Sequence, residues 1–290
     1  MGLMKKIVIV FIVIIVLAGG AGYFLYDKFM GDDVRTAFLS IESGTAEVDK
    51  GNGWREAFNG IDLKDDYKVR SKGGTSVIIL YESIFAELEP GTEVMIRSLK
   101  KEKISLRQES GSTWHKFTAI AGIENYEVET PTTVAVVRGT EFGIDYETES
   151  GEATVLVGEG NVTVKSGEES IDLEQFEKML RTEDGLQKVE LTPEDKQRIL
   201  EKAKKNLERL KKIREGMIQE NDAIVGRAIE AYGVSREELG GYLDKIDVGE
   251  IDDAELLEKS PIKLPVMYRV KKVNDEIKKQ QEFIEKIKNL

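Results

Sequence analysis

The chain has 290 residues, a formal net charge of -12, one histidine and no cysteine. That length accommodates one or two domains with a sizeable core, and the lack of cysteine excludes disulfides, thiolate catalysis and thiolate metal sites. Charge is uneven: residues 27–191 carry 19 Lys and Arg against 33 Asp and Glu, whereas residues 192–290 carry 21 of each. Such an acidic face opposes nucleic acid and anionic lipid, and its simplest use is to keep a surface soluble.

In chain order, Ile7 to Tyr26 is a run of 20 uncharged residues, which as a helix would reach about 30 Å, the thickness of a bilayer core. Lys5 and Lys6 precede it, while Asp27, Asp32 and Asp33 follow. Residues 1–30 are therefore expected to form a transmembrane signal-anchor in the plasma membrane, N-terminus cytoplasmic and the bulk of the chain extracytoplasmic. A cleaved signal peptide is the competing expectation, because Ala18-Gly19-Gly20-Ala21 has the small residues of a cleavage site.

Residues 31–191 read as an all-β domain. Phe38, Ile41, Ala46 and Val48 are expected inward, and Asp49 to Gly53 form a turn before Trp54. Strands are expected over Tyr67–Arg70, Ser76–Tyr81, Ile84–Leu88, Glu93–Ile96, Ile104–Arg107 and Gly111–Phe117, spaced about ten residues apart as in sandwiches, barrels or β-solenoids. The stretch Tyr126 to Val164 carries the densest pattern. Val134 to Val137 read as buried on both faces, and Phe142, Ile144 and Tyr146 alternate with polar neighbours.

The Gly-x-Trp passage ending at Trp54, the Pro90-Gly91-Thr92 turn, Trp114 with Lys116, and the run Thr130-Pro131 through Val137-Arg138-Gly139-Thr140-Glu141-Phe142 together resemble the FecR domain. The resemblance covers roughly residues 40–176 and implies an extracytoplasmic sensor or interaction domain of short strands wound into a solenoid-like double sheet. In the iron-citrate regulators that name the family, a cytoplasmic segment before the membrane helix binds a sigma factor. Here only Met1 to Lys6 precede the expected helix, which argues against that role.

Residues 192–290 change to helical period. Thr192 is the expected N-cap, with Pro193 first and Glu194 and Asp195 in the opening turn. Ile199, Ala203, Leu207, Leu210 and Ile213 follow at helical spacing up to Gly216. A second helix is expected over Ile218–Tyr232, a third after the Ser235–Glu238 capping box, and a last one over Val266–Leu290. This helical region offers a partner surface or a possible homo-oligomer contact.

Catalysis finds little support in these residues. The sole histidine, His115, lies beside Trp114 on a strand with no nucleophile elbow nearby, which favours a structural role. No phosphate-binding loop is in its required context, and no cofactor is expected. Arg138 is expected to be a buried tie between strands, the alternative being a fork presented to a ligand anion, with Gly139 allowing a close approach. Thr130, Pro131, Val137, Arg138, Gly139, Thr140, Glu141 and Phe142 thus read as structural. The carboxylates Glu141, Asp145, Glu147, Glu149 and Glu152 lack the spacing of a calcium loop, and solubility explains them better. The expectation is a non-catalytic, membrane-anchored FecR-domain sensor or scaffold with an extracytoplasmic protein or envelope partner. The alternative is a structural cell-envelope protein that binds wall polymer or surface-layer components.

Overall fold

The computed structural model describes residues 36–221, 235–259 and 265–289. The chain divides into two compact units, residues 34–202 and residues 203–290.

The first unit is a β-sandwich. Its strands are β1 (Ala37–Ile41), β2 (Thr45–Asp49), β3 (Trp54–Glu56), β4 (Lys68–Lys72), β5 (Ser76–Leu80), β6 (Ile84–Leu88), β7 (Glu93–Lys100) and β8 (Lys103–Phe117). They continue with β9 (Tyr126–Glu129), β10 (Val134–Val137), β11 (Glu141–Tyr146), β12 (Ala153–Glu159), β13 (Val162–Ser166), β14 (Glu169–Leu173), β15 (Lys178–Thr182) and β16 (Gly185–Val189). Sheet A runs β1-β5-β6-β8-β11-β12-β15-β16, and sheet B runs β3-β2-β4-β7-β8-β9-β10-β13-β14. The two inner faces meet in one apolar core that includes Leu39, Val69, Ile78, Ala86, Ile96, Leu106, Tyr126, Val137, Phe142 and Val157.

Strand β8 belongs to both sheets. Its first half pairs with β7 and β9, and its second half with β6 and β11. The sequence reads as two strands here, Ile104–Arg107 and Gly111–Phe117, because Gly111 looks like a break. Gly111 instead bends one continuous strand: its φ is +85°, and a Cβ there would lie 2.6 Å from the Thr92 hydroxyl oxygen. Only glycine meets both demands without strain.

The fold class expected from the sequence needs two corrections. Among the described residues no helix is long and apolar enough to cross a membrane; the expected anchor, residues 1–30, lies outside the described residues. The long helices that are present are studded with Lys and Glu. The double sheet is also not solenoid-like. Every strand pair among the described residues is antiparallel except β8 with β9, since glycine turns such as Gly91 and Gly160 reverse the chain, whereas a solenoid stacks parallel coils. The architecture is an all-β sandwich followed by a helical region.

Two smaller differences concern faces. Strand β10 alternates half-buried Val134 and Val136 with buried Ala135 and Val137, so only one face is covered. In β1 it is Ala37 and Leu39 that enter the core, while Phe38 and Ile41 are half-buried. The free edge of β1 is closed by backbone bonds with the loop after β3, Leu39 N to Ile61 O at 3.0 Å and Leu63 N to Ala37 O at 3.0 Å, which removes an edge open to aggregation.

The helices are α1 (Pro193–Glu220), α2 (Arg236–Asp247), α3 (Asp253–Lys259) and α4 (Pro265–Lys288). Helix α1 opens on a reciprocal cap, with Thr192 Oγ1 accepting from Asp195 N at 3.2 Å and Asp195 Oδ2 accepting from Thr192 N at 2.9 Å. It runs through Gly216 to Glu220, past its expected end. The rest of the expected second helix, residues 222–232, lies outside the described residues. Ser235 and Glu238 form the expected capping box of α2.

In the second unit, buried Arg214 of α1 bonds both carboxylate oxygens of Asp247 on α2 and, at 3.0 Å, Asn274 Oδ1 of α4. Asn274 in turn donates to Asp253 of α3 at 2.8 Å. Four helices therefore share one buried polar network, whose geometry specifies their register because an unpaired member would cost several kcal/mol.

Two glycines test this packing. Gly143 of β11 faces Trp114, and an added Cβ would sit 2.6 Å and 2.8 Å from the buried indole carbons. Gly143→Ala should destabilise the chain by about 1–3 kcal/mol. At Gly216 nothing lies within 4 Å of the added atom, and Gly216→Ala should stabilise by about 0.5–1 kcal/mol. Thermal denaturation of both variants measures the opposite signs.

Candidate functional site

Alternation along β8 sends Thr113, His115 and Phe117 inward and Trp114 and Lys116 outward. His115 is fully buried between the sheets, its ring stacked on Phe142 with centroids 4.8 Å apart. Tyr126 OH lies 2.7 Å from His115 Nδ1, and His115 Nε2 lies 2.7 Å from Thr113 Oγ1. Thr113 donates to Gln108 Oε1 at 2.7 Å, and the Gln108 amide donates to the carbonyls of Gly111 at 2.6 Å and Ile144 at 3.3 Å. Because the Thr113 hydroxyl proton is given to Gln108, Thr113 accepts from His115 Nε2–H, and Nδ1 accepts from Tyr126. The neutral imidazole satisfies every member of this chain. Burial lowers the His115 pKa to about 3 and raises that of Tyr126. With both nitrogens engaged and no solvent access, His115 serves as a core strut.

The FecR-like string distributes its residues as follows. Thr130 Oγ1 accepts from the backbone of Thr132 at 3.2 Å and Thr133 at 2.9 Å, shaping the turn around exposed Pro131. Val137 and Phe142 enter the core. Arg138 does not make the buried tie expected of it: it is exposed in the bend between β10 and β11, with no ion pair among the described residues. Alternation places Val137 inward, so its successor turns out. Gly139 is exposed at φ +61°, and Thr140 is buried with its hydroxyl oxygen unpartnered.

Glu141 carries the charge inside this string. On the outer face of sheet A it accepts from the Trp114 indole at 3.0 Å and lies 3.5 Å from Lys116 Nζ, which also reaches Glu159 at 2.5 Å. The same face carries Glu87, Glu89 and Asp145. Lys202 of α1 bonds Glu87 and Glu89, each at 2.7 Å. Arg198 grips Asp145 with its two terminal guanidinium nitrogens at 2.7 Å and 2.8 Å, and sits over the Trp114 ring, 5.7 Å from its centroid. Asp145 and Glu89 hold the Arg198 pKa above its ordinary value even though burial acts to lower it. Helix α1 through Lys202 thus belongs to the β unit, eleven residues beyond the boundary expected at 191.

Sequence reasoning missed this charged face. Its legible signals were Arg198 and Lys202 four residues apart beside the inward Ile199, and Glu87 and Glu89 two apart on a strand. The five carboxylates considered for calcium are not brought together for a cation. Glu141 and Asp145 are occupied as described, while Glu147, Glu149 and Glu152 are exposed around the β11–β12 turn. No group of three metal-ligating side chains occurs among the described residues. A shallow pocket of about 200 Å³ beside that turn is lined by Gly111, Ser112, Asp145, Tyr146, Glu147, Glu152 and Thr154.

Two consequences are measurable. The folded chain keeps His115 unprotonated down to pH about 3, whereas the unfolded chain takes up that proton near 6.5. Between these values the unfolded state binds more protons, so stability is full above pH 6.5 and is lost as pH falls, at up to about 1.4 kcal/mol per pH unit from this group. Urea unfolding at pH 7 and pH 4.5 should show that loss, and His115→Gln should reduce it. Arg138→Ala, by contrast, should change stability by no more than about 0.5 kcal/mol, because the side chain is exposed and unpaired; the same urea titration measures it.

Comparison with known proteins gives the region its family. No curated protein sequence matches the chain. Two crystal structures of a candidate anti-sigma factor from Parabacteroides distasonis ATCC 8503, at 2.50 Å and 1.65 Å resolution, are similar at 18% identity and a TM-score of 0.38. Each alignment covers 42% of this chain and 57% or 59% of the other, less than two thirds of those structures. The family model described as FecR protein matches residues 65–163. These residues run from the entry to β4 into β13, the centre of both sheets, and it is this central region that carries the FecR match.

Proposed function

We propose that the protein is a non-catalytic sensor or scaffold whose FecR domain binds a partner protein, with the β unit working outside the cytoplasm. The observation that carries this reading is the FecR match over residues 65–163, which falls on the central strands of the sandwich. Two structural features support it. The imidazole of His115 is sealed in the core with both nitrogens bonded, which removes it as a base. The outer face of sheet B is a broad surface on which half-exposed Trp54, Met95, Arg107, Val134 and Val136 alternate with charged neighbours, a composition suited to a protein contact.

Affinity capture with the full chain after crosslinking in cells tests the reading. A discrete protein partner, lost when Met95→Asp and Val136→Asp are introduced together, is the expected result. Enrichment of wall polymer with no protein partner would instead support the structural cell-envelope role. Protease shaving of intact cells should release peptides of the β unit, as its extracytoplasmic placement requires.

A further inference from the structure

The outer face of sheet A presents three carboxylates, Glu87, Glu89 and Asp145, from β6, the turn after it and β11. Glu87 is fully buried, and a buried carboxylate without a cation is costly. Lys202 and Arg198 supply the cations, one helical turn apart, with the indole of Trp114 beneath the guanidinium.

The grip depends on few side chains. Between Pro193 and Lys202 only Ile199 is fully buried among the apolar residues, while Glu194, Lys196, Gln197 and Glu201 are exposed. Lys178 holds Asp195 at 2.9 Å at the helix start. Apart from that contact at its start, the segment's contacts with the face fall on a short pattern, Arg with an aliphatic neighbour and Lys four residues after the Arg. Arg198, Asp145 and Glu89 are partly open to solvent, so salt weakens the ionic part of the attachment.

We propose that this face is a receptor for a basic helix, that residues 193–202 occupy it as an internal strap, and that a helix of a partner protein with the same Arg-aliphatic-x-x-Lys pattern competes for it. The charge complementarity of sheet and strap carries the assignment. Such an exchange would couple partner binding to release of the segment at which the two compact units divide. The proposal rests on the reading of the domain as a protein-binding platform for its use, but its test needs no cellular partner, so the two can fail separately.

The probe is a fluorescent synthetic peptide with the sequence of residues 192–206, added to the purified full chain. The double variant Arg198→Glu, Lys202→Glu should bind it at least about tenfold more tightly than the unaltered chain, by anisotropy. Adding Asp145→Lys should abolish that gain, and a peptide with its Arg and Lys replaced by Glu should not bind. A folded double variant that ignores the peptide overturns the proposal. So does a double variant that binds both peptides alike. Should the double variant not fold, hydrogen exchange on the unaltered chain decides. Amides of residues 197–202 should exchange about tenfold faster when salt rises from about 0.05 M to about 0.5 M, with those of β8 unchanged. Equal protection at both salts means a permanent strap and overturns the proposal.

Discussion

The passage of β8 through both sheets is the constraint on which the rest of the β unit depends. A strand places successive side chains on opposite faces, so one run of residues from Thr113 to Phe117 serves two environments. Its inward members build the joint between the sheets, where His115, Phe117, Tyr126 and Phe142 gather within ring contact. Its outward members, Trp114 and Lys116, meet Glu141 across the ladder to β11. Gly111 makes the arrangement possible by letting the strand bend against Thr92 while its hydrogen bonding continues on either side.

Two connected sets of polar groups are buried in this protein. The Tyr126–His115–Thr113–Gln108 chain ends on backbone carbonyls, and the Arg214–Asp247–Asn274–Asp253 set ends on the helices it joins. Such sets contribute little net stability compared with apolar packing of the same volume, but each alternative register leaves a donor or charge unmet. They act as specificity devices within an apolar core. The cation pair on α1 differs in kind: Arg198 and Lys202 meet carboxylates of a sheet surface and tie their segment to it.

Several elements were legible because their signals are local. The caps at Thr192 and Ser235 depend on side chains three residues apart, and the helices begin where those residues predict. Turn glycines and β-branched runs marked most strands, and the string from Thr130 to Phe142 pointed to the FecR domain that the family model also finds. Other features were not legible for equally physical reasons. That Ile104–Arg107 and Gly111–Phe117 form one strand depends on what lies beside Gly111, a threonine 19 residues away in sequence. The exposure of Arg138 follows from which face of β10 is covered, and a run of four apolar residues does not say so.

By itself the sequence determined the two structural periods, the helix starts, the acid-rich β portion and the FecR identity of its centre, because each is written in neighbouring residues. Only the tertiary structure decided that the strands make an antiparallel sandwich in place of a solenoid, that His115 is sealed neutral in its core, and that Glu87, Glu89 and Asp145 share the cations of α1. Those outcomes join residues up to 115 positions apart. Charge and hydroxyl partners at such distances are chosen by packing, which no local pattern records.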